Sequence, residues 1–282
     1  MEIRRIGGVI SAEVEGVELK TVTTESVAPI EDALYEHGVL FFRAQHLTSD
    51  EQIELARAFG EPSIYPISKI HGATEPVCSV IEDGPDSPPT TDGWHTDVTW
   101  IESPPKIAIL CGLEVPEYGG HTMWASAADV YDSLSPSIQG LLEGMEAEHT
   151  CWPGFCETAE RKSEVEGLGR RIADAYPPVM HPVVRTHPVT GQKAYYDGSS
   201  TMNGVAELSD AEWEPLRLML RAMFDEPKRQ VRWSWTEGDV AIWDERLVVH
   251  RGVSDHFPLR RVVRRITVDG ERPFLDAIAG AN

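Results

Sequence analysis

One short stretch of the sequence carries the residue types of a metal site: Trp94-His95-Thr96-Asp97-Val98-Thr99-Trp100. His95 and Asp97 are separated by a single residue, and on an extended strand such neighbours point to the same face. An imidazole and a carboxylate together make two-thirds of a facial triad, the ligand set that leaves adjacent positions open on non-haem Fe(II) for oxygen chemistry. The third ligand has to come from elsewhere in the fold. A His-x-Asp triplet on its own arises often by chance, so its weight depends on what the rest of the chain supplies.

The C-terminal run WDERLVVHRGVSDHFPLRRVVRRITV supplies a histidine, His250, and then an arginine-rich strand. On that strand Arg261, Val263 and Arg265 share one face, and Val262, Arg264 and Ile266 share the other. Arginines on an interior-facing side are costly unless each meets an anion. The bland alternative is a solvated basic strand with no ligand. Arg261 and Arg265 lie about 13 Å apart along such a strand, too far to grip one carboxylate together.

In this order the motifs resemble the Fe(II)/2-oxoglutarate-dependent dioxygenases of the taurine dioxygenase family, over roughly Ile6 to Phe274. The resemblance implies Fe(II) and 2-oxoglutarate as cofactors, with His95, Asp97 and His250 as the catalytic iron ligands. It implies that Arg261 and Thr122 hold the distal carboxylate of 2-oxoglutarate and that Arg265 holds the anionic group of a substrate. A planar guanidinium suits either task, because its fork matches a carboxylate or sulfonate. Related halogenating enzymes lack the carboxylate that Asp97 provides, so oxygenation is the expected outcome.

The implied reaction converts 2-oxoglutarate to succinate and CO2 while hydroxylating a small, anionic organic molecule. Two other readings stay open. One is a specialised-metabolite oxidase of the same fold, carrying out desaturation, cyclisation or C–N, C–O or C–S cleavage. The other is a non-catalytic metal-binding jelly-roll module, against which stand Arg261 and Thr122, since a bare metal binder has no use for them.

The chain also departs from the family pattern. His121 stands where an acidic residue commonly precedes the threonine. The substrate-contacting histidine and tyrosine of the taurine enzymes fall at Tyr65 and Ser68, and the expected asparagine falls near Thr91. Phe155 is retained, whereas DGSSTMNG follows Tyr196 in place of the usual segment. A pocket built to pair specific polar groups rejects ligands that leave them unpaired, so these changes argue against taurine itself. Trp94, Trp124 and Trp243 are candidates for the pocket wall or for plain core.

The elements that must position these residues follow from periodicity and punctuation. Helices are expected over 24–37, 48–59, 126–133, 135–144 and 209–224, and strands over 39–42, 77–81, 106–113, 145–151, 229–235, 239–243, 246–250 and 261–268. A hairpin is expected from Val179–Thr186 and Gln192–Tyr196. Pro- and Gly-rich segments near 62–93 and 152–178 read as irregular, and both are candidate lids over a site. Many short strands with helices gathered near the start predict a mainly β fold with flanking helices, and the resembled family implies the double-stranded β-helix, or jelly roll. Residues 1–282 read as one dioxygenase domain.

Composition narrows the partners. The 282 residues carry 46 acidic and 25 basic side chains, for a net charge of −21. Such a field repels phosphate backbones and anionic membranes, so the expected partners are a small-molecule substrate and O2, with no nucleic acid and no membrane. Self-association into a homo-oligomer is left open. No apolar run approaches a signal peptide or a membrane span, and Cys78, Cys111, Cys151 and Cys156 lack metal-type spacing, so a cytoplasmic protein with free thiols is expected.

Overall fold

The computed structural model describes residues 1–90, 92–163 and 165–276, so Thr91 lies outside the described residues. In chain order come strands β1 (Glu2–Arg5) and β2 (Ala12–Glu15), helix α1 (Ala28–His37), β3 (Val39–Phe42), and helices α2 (Ser49–Phe59) and α3 (Pro66–Ile70). Then follow β4 (Ser79–Asp83), β5 (Ile107–Glu114), β6 (Thr122–Ser126), α4 (Ala127–Asp132), α5 (Pro136–Leu142) and β7 (Glu146–His149). Next are α6 (Gly154–Lys162), α7 (Leu168–Ala175), β8 (Val179–Pro182), β9 (Val184–Thr186), β10 (Lys193–Tyr195) and β11 (Met202–Val205). The chain closes with α8 (Asp210–Met223), β12 (Gln230–Trp233), β13 (Val240–Asp244), β14 (Val248–Gly252) and β15 (Arg261–Val268). The fold is mainly β with flanking helices.

A seven-stranded sheet in the order β1-β2-β3-β13-β5-β15-β4 is the backbone of the molecule, and a smaller sheet runs β12-β6-β14. Central strand β3 reads VLFF and is buried along its whole length, because it has a hydrophobic core on each face. Val39 and Phe41 join Trp124, Trp233, Trp243 and Val249 in a core between the two sheets. Leu40 and Phe42 join Ile30, Leu34, Leu55, Phe59, Ile109 and Ile266 in a second core under α1 and α2. The same alternation on β15 sends Val263 to the first core and Ile266 and Val268 to the second, which aims Arg261 and Arg265 between the sheets.

Local chemistry fixes the helix ends. Thr48 and Glu51 make a reciprocal capping box on α2, the Thr48 hydroxyl accepting from the Glu51 N–H and the Glu51 carboxylate from the Thr48 N–H. Gly38 ends α1 with φ 70°, and a Cβ there would lie 2.8 Å from Val248 Cγ1, so only glycine lets the helix turn this close to β14.

Four features differ from the sequence expectations. His95 and Asp97 are not on a strand: His95 forms an isolated antiparallel bridge with His250, and residues 97–100 are a turn, with Val98 at φ 54°. Neither candidate lid is wholly irregular, since 62–93 contains α3 as well as the expected strand, β4, and 152–178 contains α6 packed on α7. The expected strand 179–186 breaks at Val183 and changes sheets, β8 pairing with β7 and β9 with β10. The strand expected from Arg246 starts at Val248, because Asp244–Leu247 closes a turn in which the Leu247 N–H donates to Asp244 O at 3.1 Å.

Behind the site His149 on β7 stacks on Tyr196, and His181 on β8 meets both rings edge-on, with centroids 5.1 Å apart for the two histidines. Burial pushes the His149 imidazole down to about 3, with His181 adding to the effect, and burial likewise pushes His181 down to about 4. The unfolded chain therefore binds more protons than the folded one between these values and the ordinary 6.5. Their stabilising contribution is fully present above 6.5 and is lost as pH falls towards the folded values. Denaturant titrations at several pH values should show stability falling by about 1.4 kcal/mol per pH unit for each histidine across that window, and His149→Gln should flatten the slope. Identical slopes in the two proteins would contradict the assignment.

Candidate metal centre

Among the described residues, His95, Asp97 and His250 form a group of potential ligands whose donor atoms all lie within 4.8 Å of one another. Two segments remote in sequence are joined here by backbone: the His95 N–H donates to His250 O at 3.0 Å and the His250 N–H donates to His95 O at 2.9 Å. This reciprocal bridge sets the two imidazoles side by side, with ring centroids 4.2 Å apart. The turn after His95 then swings Asp97 back, so that Oδ1 lies 3.8 Å from His95 Nε2. A neutral two-imidazole, one-carboxylate donor set suits Fe(II).

Surrounding groups hold the ligands in usable form. His95 Nδ1 and Gly93 O are 2.8 Å apart, a contact that places the ring proton on Nδ1 and leaves the Nε2 lone pair for a metal. Burial, reinforced by His95, keeps His250 well below the ordinary imidazole range and so neutral. Burial also pushes the Asp97 carboxyl up, but the Arg265 guanidinium and the two imidazoles outweigh it and hold it at about 2. Asp97 and His250 thus have the protonation state that metal binding needs.

Arg265 is not a free cation. Its Nη1 donates to Asp97 Oδ1 at 2.8 Å and to Oδ2 at 2.7 Å, so the partner of this arginine is one of the chain's own carboxylates. The cause is electrostatic: the Asp97 carboxylate is buried, and the alternation of β15 delivers the Arg265 guanidinium to it. The contact uses one guanidinium nitrogen of three, and the group faces the metal cluster. The Tyr65 ring lies 5.7 Å from Arg265 Cζ, which brings Tyr65 to the site as well.

Arg261 occupies a separate buried position. Its Nε donates to Gly120 O at 2.8 Å and its Nη2 to the Thr122 hydroxyl at 3.1 Å, and Nη1 lies 3.5 Å from Asp83 Oδ2. The two arginines therefore address different carboxylates. A buried guanidinium already oriented by a hydroxyl and a carbonyl is a fitting cradle for a dicarboxylate's distal end.

Other candidate positions separate. Phe155 on α6 packs on Trp100 with ring centroids 5.0 Å apart, and both belong to an apolar cluster with Val98 and Tyr65. Ser68, on α3, makes no side-chain hydrogen bond to the metal group among the described residues. Trp243 stands 4.8 Å from the His250 ring, while Trp124 packs on Trp243 deeper in the core and Trp94 donates to Asp225. His121 accepts from Arg232 Nε at the outer end of β6.

Sequence reasoning missed Glu245. Buried beneath the cluster, its carboxylate accepts from the Asp97 N–H at 3.1 Å and from Trp243 Nε1 at 2.8 Å, and Oε1 lies 4.0 Å from His250 Nδ1. Burial, with the Asp97 charge beside it, pushes its carboxyl well above the usual range. Its only sequence signal was its place in the charged run Asp244-Glu245-Arg246 between two apolar strands. Asp83 and His256, whose Nε2 lies 3.7 Å from Asp83 Oδ2, were missed because Asp83 is remote in sequence from both His256 and Arg261.

Comparison with known proteins adds four findings. The family described as "Taurine catabolism dioxygenase TauD, TfdA family" matches residues 2–267. The chain is 36% identical to an alkylsulfatase of Acinetobacter baylyi over 96% of its own length and 86% of the relative's. It is 32% identical to an alpha-ketoglutarate-dependent sulfate ester dioxygenase of Pseudomonas putida, covering 97% and 91% of the two chains. A crystal structure of a taurine dioxygenase from Burkholderia xenovorans superposes with a TM-score of 0.79 at 30% identity, over 96% of this chain and 92% of that one.

The geometry yields a metal-binding test. Calorimetric titration of Mn(II) into His250→Ala should give an affinity more than about 100-fold below that of the unaltered protein, with an unchanged circular dichroism spectrum. Asp97→Ala should weaken metal binding as severely and also destabilise the fold by about 3 kcal/mol, because it strands the half-buried Arg265 charge. Unaltered metal affinity in both variants would contradict the ligand set.

Proposed function

This chain belongs to the taurine catabolism dioxygenase family TauD, TfdA, and we propose that it oxidises a small organic anion held by Arg265, with an alkyl sulfate ester or sulfonate as the best fit. It is an Fe(II)- and 2-oxoglutarate-dependent dioxygenase. When bound, the iron with 2-oxoglutarate and O2 supplies an oxidant for an unactivated C–H bond, with release of succinate and CO2. His95, Asp97 and His250 would hold the metal, and Arg261 with Thr122 would hold the distal carboxylate of 2-oxoglutarate.

The observation that carries the substrate reading is the juxtaposition of one cation with an apolar wall. Arg265 is half-buried beside the ligand group, and next to it Tyr65 joins a cluster with Val98, Trp100, Phe155 and Ile67. An anionic head on Arg265 and a hydrocarbon tail on that wall would bring a carbon near the metal. The wall would also exclude water, which strengthens the charge contact. The relatives' names point the same way, one an alkylsulfatase and another a sulfate ester dioxygenase.

With a sulfate ester, hydroxylation at the carbon bearing the ester oxygen leads to cleavage. The new hydroxyl loses its proton, the C–O bond to sulfate breaks, and an aldehyde and inorganic sulfate remain. The seven-stranded sheet lying over β12-β6-β14, with the metal group between, supports a double-stranded β-helix as the finer description of the fold.

The test compares an alkyl sulfate, an alkyl sulfonate, taurine and the matching neutral alcohol for substrate-dependent succinate release. The sulfate or sulfonate should be turned over and the alcohol should not; equal kcat/KM for the alcohol would contradict the anion reading. Arg265→Ala should raise the KM for the anion by about 30- to 1000-fold, the loss expected when a buried charge-assisted contact is removed. Metal affinity is measured alongside, since Arg265 also touches Asp97. Arg261→Ala should instead raise the 2-oxoglutarate requirement, by about 30-fold or more.

A further inference from the structure

We propose that Asp83 sets the affinity of this enzyme for 2-oxoglutarate, by sharing the Arg261 guanidinium with the cosubstrate's distal carboxylate. The inference rests on the reading of Arg261 as the anchor of that carboxylate. What places Asp83 there is strand register. β4 pairs antiparallel with β15, and Asp83 lies directly opposite Arg261. Directly opposed residues project to the same face, so an acidic residue at this position is delivered to the guanidinium whatever the flanking loop does.

The contact is buried and incompletely paired. Asp83 and Arg261 are each almost fully shielded from solvent, at 5% and 6% exposure. Asp83 Oδ2 stands 3.5 Å from Arg261 Nη1 and 3.7 Å from His256 Nε2, and that imidazole nitrogen is itself buried without a hydrogen-bond partner among the described residues. Asp83, His256 and Arg261 line one small cavity with Asp92 and Ser254. Before any ligand arrives, the charge of Arg261 is already balanced by a resident carboxylate.

A second carboxylate reaching Arg261 on its Thr122 side meets a guanidinium already paired with Asp83 rather than a lone cation. The guanidinium can serve both anions, since Nη1 and Nη2 carry several donors, but the two carboxylates then repel one another in a poorly solvated space. Asp83 thereby lowers cosubstrate affinity while leaving the orienting contacts of Arg261 to Gly120 and Thr122 intact. It acts only on ligands with an anionic distal end.

The experiment is calorimetric titration of 2-oxoglutarate into protein loaded with redox-silent Mn(II), without turnover. Asp83→Asn should bind about 10- to 100-fold more tightly than the unaltered protein, the range left after screening of two carboxylates at this separation. 2-Oxopentanoate, which lacks the distal carboxylate, should bind both proteins equally, an outcome that a merely structural role for Asp83 does not produce. Asp83→Ser provides the same comparison if the amide variant folds poorly. Unchanged or weaker 2-oxoglutarate binding in a folded variant overturns the proposal. If instead Arg261→Gln binds 2-oxoglutarate as well as the unaltered protein does, the anchor reading itself fails.

Discussion

The structure depends on keeping one charged carboxylate, Asp97, buried among groups that can all give up a place to a metal. Burial alone would protonate it. The Arg265 guanidinium and the two imidazoles reverse that, and each comes from a different part of the chain: β15, β14 and the turn after Gly93. The opposition of two sheets, the bridge between His95 and His250, and the facing of β15 all serve this one meeting point. Breaking the Asp97–Arg265 pair would leave an uncompensated charge inside the molecule, which is why the site and the fold are energetically linked.

A second buried ion pair holds the frame. Asp244 accepts from Arg246 Nε at 2.9 Å and from Arg246 Nη2 at 2.6 Å, and it lies 3.0 Å from His187 Nε2. Burial raises the Asp244 carboxyl, but Arg246 and His187 more than compensate and keep it ionised. This locks the turn between β13 and β14, so that Glu245 points under the metal group and His250 arrives on it. The consecutive acids Asp244 and Glu245 thus have opposite electrostatic settings: one is held ionised by an arginine, the other is pushed towards the neutral acid beside Asp97.

Much of this was legible in the sequence, for physical reasons. Residue type was enough to bring His95 together with Asp97, alternation put Arg261 and Arg265 on one face of β15, and capping chemistry located α2 from Thr48 and Glu51. Local pattern failed where long-range contacts decide. His95 and Asp97 converge through a single bridge and a turn, not a strand, because pairing to His250 ends after one residue. Two short helices replaced an irregular 152–178, where α6 and α7 bury Cys156, Leu168 and Ile172 against Trp100. Arg265 was legible as a cation in need of an anion, but not that the first anion it meets is Asp97. Glu245 and Asp83 could not be assigned, since their partners are set by register and turn geometry rather than by neighbours in sequence.

The central claim, an iron site completed by 2-oxoglutarate at His95, Asp97 and His250, is tested most directly by anaerobic visible absorption. Adding Fe(II) and 2-oxoglutarate together to the unaltered protein should produce a weak charge-transfer band, absent with either alone, that shifts when an alkyl sulfate is added. The same additions to His250→Ala should produce no band. A band of equal strength in that variant, or none in the unaltered protein at saturating Fe(II) and 2-oxoglutarate, would contradict the account.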